Sequence, residues 1–307
     1  MAPFTTIGVG GAAALLLSLE DAAGLSEALS LLRVEGVPHT AVGAGSNLVV
    51  GDAGYRGVIL KLGDGFHFID EPVPHPSRVG GAASTHAPTD TGPSALSVVA
   101  GAGLHLPRLC SLLAGWGLGG LEFCCGIPGT LGGGVAMNAG AHGGELARVV
   151  EAVQVARGDG VHWLAADALE WGYRHCGLPP GAVVTAVRLR LQQTPEANIR
   201  ALHRRYLQQR RQGQPRGART FGSTFRNPPG ESAGRLLDQA GMKGARHGGA
   251  EVSTVHANFI VNCGDARAAD VLYLMSLMRE AVYRKHEVLL EPEVRVLGAR
   301  LPWETGA

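Results

Sequence analysis

Two glycine-rich stretches carry the residue types that could hold a ligand in this sequence. The first runs Gly43-Ala44-Gly45-Ser46-Asn47-Leu48 and lies between two apolar segments. Its small side chains let backbone N–H groups approach a phosphate, while the hydroxyl of Ser46 and the amide of Asn47 can add donors. A plain turn explains such a short loop equally well. This stretch therefore predicts a phosphate contact only in combination with others.

The second stretch covers residues 124–145 and contains eight glycines in 22 positions, together with Pro128 and Asn138. A segment with so little side-chain volume cannot fill a core, so another surface must cover it. This composition favours a large planar ligand lying along the backbone, with a compositionally biased loop as the alternative. Neither stretch fits the G-x-G-x-x-G or P-loop pattern, which disfavours a Rossmann fold or an ATPase.

The composition is that of an ordinary globular protein and limits the possible functions. The 307 residues are 45% apolar and 17% charged, and 27 basic against 26 acidic side chains give a net charge of +1. Without a basic excess, no nucleic-acid partner is expected. Glycine occurs 46 times, and only three of the 27 basic residues are Lys. Because this bias raises Arg and Gly everywhere, an isolated Arg or Gly says little about function.

The cysteines and the apolar runs predict a cytoplasmic protein. Five cysteines, an odd number, lack any C-x-x-C or Cys/His spacing, which favours buried thiols in a reducing compartment and no metal site. The histidines within residues 67–94 also lack metal-ligand spacing. The apolar run at 8–19 is too short to cross a bilayer and is interpreted as a strand leading into a helix, so no membrane span is expected.

Alternating strand and helix patterns would position the two glycine-rich stretches. In the first third, Ser18 is expected to cap a helix with an apolar face, and a strand follows at 57–62. In the middle third, a Pro-rich insertion at 67–94 is expected to form a long surface loop. The other elements predicted there are a strand at 96–103, a helix at 106–116 and strands at 149–156 and 182–191.

The last third is predicted to contain two helices. Residues 195–212 form the first, with five Arg along their length, and an amphipathic helix capped by Asp265 extends to about residue 286. The strand before them ends with alternating Val, Arg, Leu, Arg and Leu at 187–191, which indicates one buried and one exposed face.

Ordered motifs run through most of the chain. GAGSN (43–47) is followed by GIPGT-x-GG-x-x-x-MNAGA (126–141). The later motifs are WGYR (171–174), GSTFRNPPG (222–230), SAGRLLDQAGMKG (232–244), GGAEVSTVHANFIVN (248–262) and LEPEVRVLG (290–298). Together they resemble the UDP-N-acetylenolpyruvoylglucosamine reductases, a family of FAD enzymes that complete UDP-N-acetylmuramate for peptidoglycan. The resemblance covers residues 3–299, interrupted by the Pro-rich insertion.

The resemblance implies an α+β fold with a two-part FAD-binding domain of the vanillyl-alcohol-oxidase (PCMH) type and a C-terminal α+β substrate-binding domain. The boundaries expected are 1–63 for FAD-binding subdomain 1, 64–191 for subdomain 2 and 192–307 for the substrate-binding domain. The short connection to Ser223 resembles the compact form of the family, which lacks an extra loop over the substrate.

The resemblance also implies the site residues. Ser223 matches the family's general acid, and Arg174 and Glu293 match two residues that assist at the enolpyruvyl group. The expected substrate-binding residues are Tyr173, Asn227 and Arg295. The expected cofactor-binding residues are Gly43, Ala44, Gly45, Ser46, Asn47, Leu48, Gly126, Ile127, Pro128, Gly129, Thr130, Gly132, Gly133, Asn138, Gly140 and Ala141.

The reaction of this family requires these residue types. Hydride from N5 of the reduced flavin adds to one alkene carbon of an enolpyruvyl ether, and charge develops towards the neighbouring carboxylate. A guanidinium such as that of Arg174 can grip both carboxylate oxygens. The other carbon needs a proton, which Ser223 supplies if its neighbours assist so weak an acid. Glu293 acts either through the enol or through a proton relay.

The resemblance further implies NADPH as hydride donor, UDP-N-acetylglucosamine enolpyruvate as substrate and a monomer. FAD is expected to bind non-covalently, because residues 42–50 contain no His for covalent attachment. The alternatives are another FAD-linked oxidoreductase of the same superfamily and a catalytically inactive nucleotide-sugar binder. Two positions depart from the family pattern, since Gly8 stands where many relatives carry Arg and Cys176 where Ser is frequent.

Overall fold

A computed structural model describes residues 1–75 and 95–304 as a mixture of helices and strands. The helices are α1 (Ala22–Val34), α2 (Leu106–Gly115), α3 (Leu131–Ala136), α4 (Glu196–Gly213), α5 (Ala233–Gln239) and α6 (Ala268–His286). Single 3-10 turns lie at Ala2–Phe4, Asp64–Phe66, Glu122–Cys124, Leu146–Arg148, Ala166–Ala168 and Pro302–Glu304.

Eighteen strands are found among the described residues. The first nine are β1 (Ala13–Leu19), β2 (His39–Ala41), β3 (Leu48–Val50), β4 (Tyr55–Leu62), β5 (Val73–Pro74), β6 (Ala95–Gly101), β7 (Leu118–Gly119), β8 (Gly140–Ala141) and β9 (Gly144–Glu145). The others are β10 (Val150–Arg157), β11 (Gly160–Ala165), β12 (Trp171–Gly172), β13 (His175–Cys176), β14 (Val183–Gln193), β15 (Arg246–His247), β16 (Ala250–Val252), β17 (Ile260–Asn262) and β18 (Arg295–Leu297).

The chain folds into two compact units. Unit 1 consists of Met1–Leu15, Ala44–Val58 and Arg210–Ala307, and unit 2 consists of Leu16–Gly43 and Ile59–Gln209. The first glycine-rich stretch therefore has Gly43 in unit 2 and its remaining residues in unit 1. The three-part division expected from the sequence stays a prediction.

Unit 2 is built on an antiparallel sheet in the order β11-β10-β14-β6-β5, with β7 also paired to β14. The alternation predicted at 187–191 is confirmed, because Val187, Leu189 and Leu191 are buried. On the opposite face, the guanidinium of Arg188 lies 4.9 Å from the centre of the Trp163 ring. The buried face forms one apolar core with α2 and α3, which fixes the position of the second glycine-rich stretch.

The Pro-rich insertion predicted at 67–94 falls only partly within the described residues. Its first residues do not form a loop throughout, because Val73–Pro74 pairs with Leu96 and Ser97 of β6 as an edge strand. Proline fits there, since an edge strand leaves one row of backbone groups unpaired. Residues 76–94 lie outside the described residues.

The start predicted for the first helix is wrong. Ser18 lies within β1, which pairs with β4 in a three-stranded sheet of order β1-β4-β2. The cap lies three residues later, where the carboxylate of Asp21 accepts a hydrogen bond from Gly24 N–H at 2.8 Å, and the helix begins at Ala22. Strand pairing therefore decides the conformation of Ser18, although its side chain alone suits a helix cap.

Unit 1 contains the antiparallel sheet β15-β16-β17, with α5 and α6 packed on an apolar core. The predicted cap of α6 is also wrong, because the helix begins at Ala268 rather than after Asp265. The carboxylate of Asp52 accepts hydrogen bonds from Ala268 N–H at 2.9 Å and Ala269 N–H at 3.0 Å. A distant residue thus satisfies the N–H groups that the helix leaves unpaired.

No helix within 1–75 and 95–304 is long and apolar enough to cross a membrane. The same residues contain no group of three or more His, Cys, Asp or Glu side chains able to hold a metal ion. None of the five cysteines, all of which lie among the described residues, forms a disulfide, and Cys263 is exposed whereas the other four are buried.

Candidate functional site

In unit 2, Gly43 of the first glycine-rich stretch lies against Thr130 of the second. Thr130 caps α3, and its hydroxyl accepts a hydrogen bond from Gly133 N–H at 3.4 Å. A Cβ atom at Gly43 would lie only 2.4 Å from the same hydroxyl oxygen. The close approach requires glycine at position 43 and brings two of the predicted cofactor-binding stretches together.

Lys61 is a residue of this region that the sequence analysis missed. It lies on β4, and its ammonium group donates a hydrogen bond to the carbonyl oxygen of Gly43. Burial lowers the pKa of the Lys61 ammonium, because desolvation disfavours the charged form. The rarity of lysine in this chain is the signal that could have identified it.

Backbone strain in unit 2 is concentrated around Arg174. Outside glycine, only four described residues have φ in the left-handed region, and three of them are Asn138 (38°), His142 (53°) and Arg174 (55°). Non-glycine residues avoid this conformation unless the surrounding structure holds them in it. The fourth, Glu287, merely ends a helix. Strain of this kind clusters at functional sites, which supports the prediction that Arg174 is a site residue.

The amide of Asn138 ties the second glycine-rich stretch to the turn that carries Arg174. Its nitrogen donates to the carbonyl oxygen of Gly172 at 3.0 Å and to the carboxylate of Glu145 at 3.3 Å. Its oxygen accepts from Ala147 N–H at 3.0 Å, and the side chain is buried. Asn138 therefore has a structural role, in addition to its predicted place among the cofactor-binding residues.

Arg174 is held by the glycine-rich backbone itself. Its Nη2 atom donates to the carbonyl oxygen of Gly140 at 3.2 Å, and its Cζ atom lies 5.0 Å from the centre of the Tyr173 ring. The hairpin of β8 and β9 that presents Gly140 is anchored at its tip, where the His142 ring stacks on Tyr206 at 4.1 Å. These contacts fix the direction of the guanidinium and leave Tyr173 exposed.

The glycines of the second stretch serve two purposes. A Cβ at Gly132 would lie 2.9 Å from the Cβ of Ala102, and one at Gly140 would lie 2.5 Å from the carbonyl oxygen of Gly144. At Gly133, which is exposed, the nearest atom would be 3.4 Å away. The first two glycines are needed for packing, whereas Gly133 gives α3 an exposed, uncrowded surface, with its N–H bonded to Thr130. That surface and the cation of Lys61 fit the phosphates of a dinucleotide such as FAD.

The other cofactor-binding residues predicted in unit 2 line the approach to α3. Three of them are partly exposed, namely Gly126, Ile127 and Gly129. Pro128 is exposed, and Ala141 lies on β8. In unit 1, Leu48 is buried at the start of β3, and Ala44 and Ser46 are partly buried.

In unit 1, Ser223 lies on an extended segment between two others. Ser223 forms an antiparallel bridge with Phe259 on one side, and Phe225 forms one with Pro292 on the other. Glu293 N–H donates to the carbonyl oxygen of Thr224 at 2.9 Å. The segments that carry Ser223 and Glu293 are therefore directly hydrogen-bonded neighbours.

The first glycine-rich stretch lies on the far side of Glu293. The amide of Asn47 donates to the carbonyl oxygen of Glu293 at 3.0 Å, and Arg295 N–H donates to the carbonyl oxygen of Asn47 at 3.1 Å. The loop can turn there because Gly45 has φ of +65°, and a Cβ would meet the carbonyl oxygen of Phe4 at 2.0 Å. The structure thus brings together the parts of the predicted site that belong to unit 1.

Two predicted substrate-binding residues lie at the edge of this arrangement. The side-chain oxygen of Asn227 accepts from Ala233 N–H at 3.0 Å, at the start of α5. Arg295 is exposed at the first position of β18, which pairs in parallel with β3.

The structure shows what surrounds Gly8 and Cys176, the two positions that depart from the family pattern. Gly8 has φ of +73°, and the Cδ atom of Arg219 would lie 3.3 Å from a Cβ placed there, so a guanidinium side chain stands beside position 8. Cys176 is buried on β13, and burial raises the pKa of its thiol to about 11. The thiol is consequently protonated and unreactive at neutral pH.

Comparisons with known proteins agree with this geometry. A family model described as FAD binding domain matches residues 13–165, and one described as UDP-N-acetylenolpyruvoylglucosamine reductase, C-terminal domain, matches residues 214–297. The reductase of that name from Myxococcus xanthus (strain DK1622) is 44% identical over 97% of this chain and 90% of its own length. The chain belongs to the UDP-N-acetylenolpyruvoylglucosamine reductase family. It is therefore a flavoprotein oxidoreductase with an FAD-binding domain.

Further relatives extend the match over the whole chain. The UDP-N-acetylenolpyruvoylglucosamine reductase of Anaeromyxobacter dehalogenans (strain 2CP-C) is 45% identical over 99% of this chain and 86% of its own. The crystal structure of UDP-N-acetylenolpyruvylglucosamine reductase from Thermus caldophilus superposes with a TM-score of 0.78 at 38% identity, covering 96% of both chains. The predicted α+β fold, with an FAD-binding domain followed by the family's C-terminal domain, is confirmed, and its assignment to the vanillyl-alcohol-oxidase type stays a prediction.

Proposed function

We propose that this chain uses FAD and NADPH to reduce UDP-N-acetylglucosamine enolpyruvate to UDP-N-acetylmuramate, a step of peptidoglycan precursor synthesis. Membership of the reductase family, with relatives 44% and 45% identical over nearly the whole chain, supports the substrate. The reaction takes place in the cytoplasm on a single chain. FAD would be bound without a covalent link, and, once reduced by NADPH, it would supply hydride from N5 to one alkene carbon of the enolpyruvyl group.

Arg174 holds the carboxylate of the enolpyruvyl group. As hydride arrives, negative charge develops on this carboxylate, and a planar guanidinium can donate to both of its oxygens. The hydrogen bond to Gly140 and the ring of Tyr173 hold the guanidinium in a fixed direction before substrate binds. Such preorganised charge costs no rearrangement during the reaction.

Ser223 donates the proton to the second alkene carbon, and Glu293 assists. A serine hydroxyl is a weak acid at neutral pH, so it works only when it is fixed within hydrogen-bond reach and its own proton is replaced. The carboxyl group of Glu293 takes up a proton from solvent and passes it to the oxygen of Ser223. Asn227 and Arg295 bind polar groups of the substrate, and the glycine-rich stretches with Asn138 hold the cofactor.

The observation that carries this proposal is the row of hydrogen bonds from Asn47 through Glu293 to Thr224, the neighbour of Ser223. It places the first glycine-rich stretch, the carboxylate-bearing segment and the serine-bearing segment side by side in one unit. A catalytically inactive nucleotide-sugar binder of the same fold would keep these hydrogen bonds, so reoxidation of the flavin by the substrate decides between the two functions.

Stopped-flow absorbance of the purified holoenzyme tests the proposal. We expect a yellow protein whose flavin is bleached by NADPH without oxygen and regains its colour when UDP-N-acetylglucosamine enolpyruvate is added. Denaturation should release the flavin. NADH in place of NADPH should bleach it more slowly. A colourless protein, or reduced flavin that ignores the substrate, would contradict the proposal, and flavin retained after denaturation would favour an oxidase with covalent flavin.

A further inference from the structure

Asn258 binds the main chain immediately after Ser223 through three hydrogen bonds. Its side-chain nitrogen donates to the carbonyl oxygen of Phe225 at 2.8 Å, and its side-chain oxygen accepts from Phe225 N–H at 2.9 Å. Its own carbonyl oxygen accepts from Thr224 N–H at 2.8 Å. The carboxamide therefore satisfies both main-chain groups of one residue, as a neighbouring strand would.

These contacts form one side of a clamp around the serine-bearing segment. On the other side, Glu293 N–H donates to Thr224 and Arg226 N–H donates to Glu291 at 2.8 Å. Asn258 is buried, with 3% of its surface exposed, so water cannot replace the carboxamide without rearrangement. The side chain of Thr224 adds nothing to the clamp, since its buried hydroxyl has no hydrogen-bond partner among the described residues.

The turn that carries Asn258 is itself fixed. Asn258 N–H donates to Nδ1 of His256 at 3.2 Å, and the hydroxyl of Ser253 accepts from Val255 N–H at 3.2 Å and His256 N–H at 3.4 Å. The following residue, Phe259, bridges to Ser223. A rigid turn thus presents the carboxamide to the serine-bearing segment.

We infer that Asn258 is a positioning residue that aims the Ser223 hydroxyl for proton transfer. The inference rests on the proposed function. A proton donor must lie within hydrogen-bond reach of the accepting carbon, and a displacement of about 1 Å can slow the step on the order of 100-fold. In this inference Asn258 acts through the backbone of Thr224 and Phe225 and not on the substrate or the cofactor directly.

Asn262 offers a matched control four residues away. It is also buried, and its side chain makes three hydrogen bonds, against two from the side chain of Asn258: to Ile7 O at 3.0 Å, Gly264 N–H at 2.8 Å and Ala266 N–H at 3.2 Å. None of these partners belongs to the segments of Ser223 or Glu293. Loss of Asn262 should therefore loosen unit 1 without moving the serine.

The test compares Asn258→Ala with Asn262→Ala as holoenzymes in two stopped-flow steps. In both variants, NADPH should reduce the flavin within about twofold of the unchanged protein. Reoxidation by UDP-N-acetylglucosamine enolpyruvate should slow at least about 10-fold in Asn258→Ala, and its solvent deuterium isotope effect should rise as proton transfer becomes limiting. In Asn262→Ala, reoxidation should stay within about twofold, with no change in isotope effect.

Asn258→Asp keeps the proposal testable if the alanine variant folds poorly. A carboxylate at this position can accept from Phe225 N–H but cannot donate to the Phe225 carbonyl, whereas a protonated carboxyl can do both. Burial raises the pKa of such a carboxyl. The reoxidation rate relative to the unchanged protein should therefore recover as the pH falls, while the rate of flavin reduction does not follow the same curve.

Equal slowing of reoxidation in the Asn258 and Asn262 variants, or no slowing in either, overturns the inference. So does an Asn258→Asp rate that stays unchanged across the pH range. If the unchanged protein itself fails to reoxidise with this substrate, the proposed function falls, and the positioning role falls with it.

Discussion

The side-chain amide of Asn47 donates a hydrogen bond to the main-chain carbonyl of Glu293 across 3.0 Å, joining residues 246 positions apart. Asn47 also accepts from Arg295 N–H, so one residue of the glycine-rich stretch binds the chain on both sides of Val294. The segment that the resemblance assigns to the cofactor therefore also positions a residue assigned to proton transfer.

Asn47→Ala should weaken FAD binding and also slow reoxidation of the flavin by the substrate. Loss of one hydrogen bond should lower the free energy of unfolding by about 1 kcal/mol, since the carbonyl of Glu293 loses a partly buried donor. We expect weaker FAD binding, measured by the fluorescence of released flavin, and slower reoxidation by the enolpyruvyl substrate. Glu293→Gln is the control, because it should slow reoxidation alone. Normal FAD affinity in Asn47→Ala would show that the loop does not hold the cofactor.

Arg174→Lys should impair substrate reduction although the charge is kept. A lysine ammonium cannot donate to two carboxylate oxygens in the fixed geometry of a guanidinium, nor reach the carbonyl of Gly140 in the same way. We expect kcat/KM for the enolpyruvyl substrate to fall on the order of 100-fold, with flavin reduction by NADPH little changed. Arg188→Lys is the matched control, since Arg188 also stacks on an aromatic ring but lies in the sheet. A similar fall in both variants would contradict the assignment.

Local sequence patterns predicted most elements but not their ends. The strand at 182–191 was identifiable because Val187, Leu189 and Leu191 alternate with arginines, and its burial follows from that alternation alone. The start of α6 could not be identified in this way, because the carboxylate that satisfies its first N–H groups comes from Asp52, 216 residues away. The prediction that Ser18 caps a helix failed for a similar reason, since pairing between β1 and β4 outweighs the local preference of serine for a cap.

In the candidate site, too, some residues can be predicted from local sequence and others depend on distant contacts. Motif resemblance predicts Ser223, Arg174 and Glu293 as site residues without any knowledge of their neighbours, and these roles stay predictions. It gave no role to Asn258, although this residue lies within the motif at 248–262, nor to Lys61, one of only three lysines. The contacts of these residues to Phe225 and Gly43 join distant parts of the chain, so the structure is needed to say what the two residues do.

Thr224→Val should stabilise the protein and leave turnover unchanged. The Thr224 hydroxyl is buried and has no hydrogen-bond partner among the described residues, so folding removes it from water without compensation. Valine has nearly the same shape and avoids this loss, which is worth about 1–3 kcal/mol. Holoenzyme melting temperature should rise, and kcat should stay within about twofold. A lower melting temperature would mean that the hydroxyl binds a group, such as an ordered water, that stabilises the fold.

Stability should fall as the pH drops below the ordinary histidine range, in part because of His256. Burial lowers the pKa of His256 below its usual value of 6.5, and the nearby ammonium of Lys243 acts in the same direction. In the unfolded chain the ring takes up a proton near pH 6.5, while in the folded protein it stays neutral to lower pH. The unfolded state then binds more protons, and stability present above about pH 6.5 is lost as the pH falls through that window.

The fold also has a specific reason to keep this ring neutral, since Nδ1 of His256 accepts the hydrogen bond from Asn258 N–H. His256→Gln removes the titrating group, so its holoenzyme melting temperature should fall less than that of the unchanged protein between about pH 7.5 and about pH 5.5. Some pH dependence should remain, because burial also lowers the pKa of His203 in unit 2. A variant that loses as much stability as the unchanged protein over this range would show that His256 does not contribute.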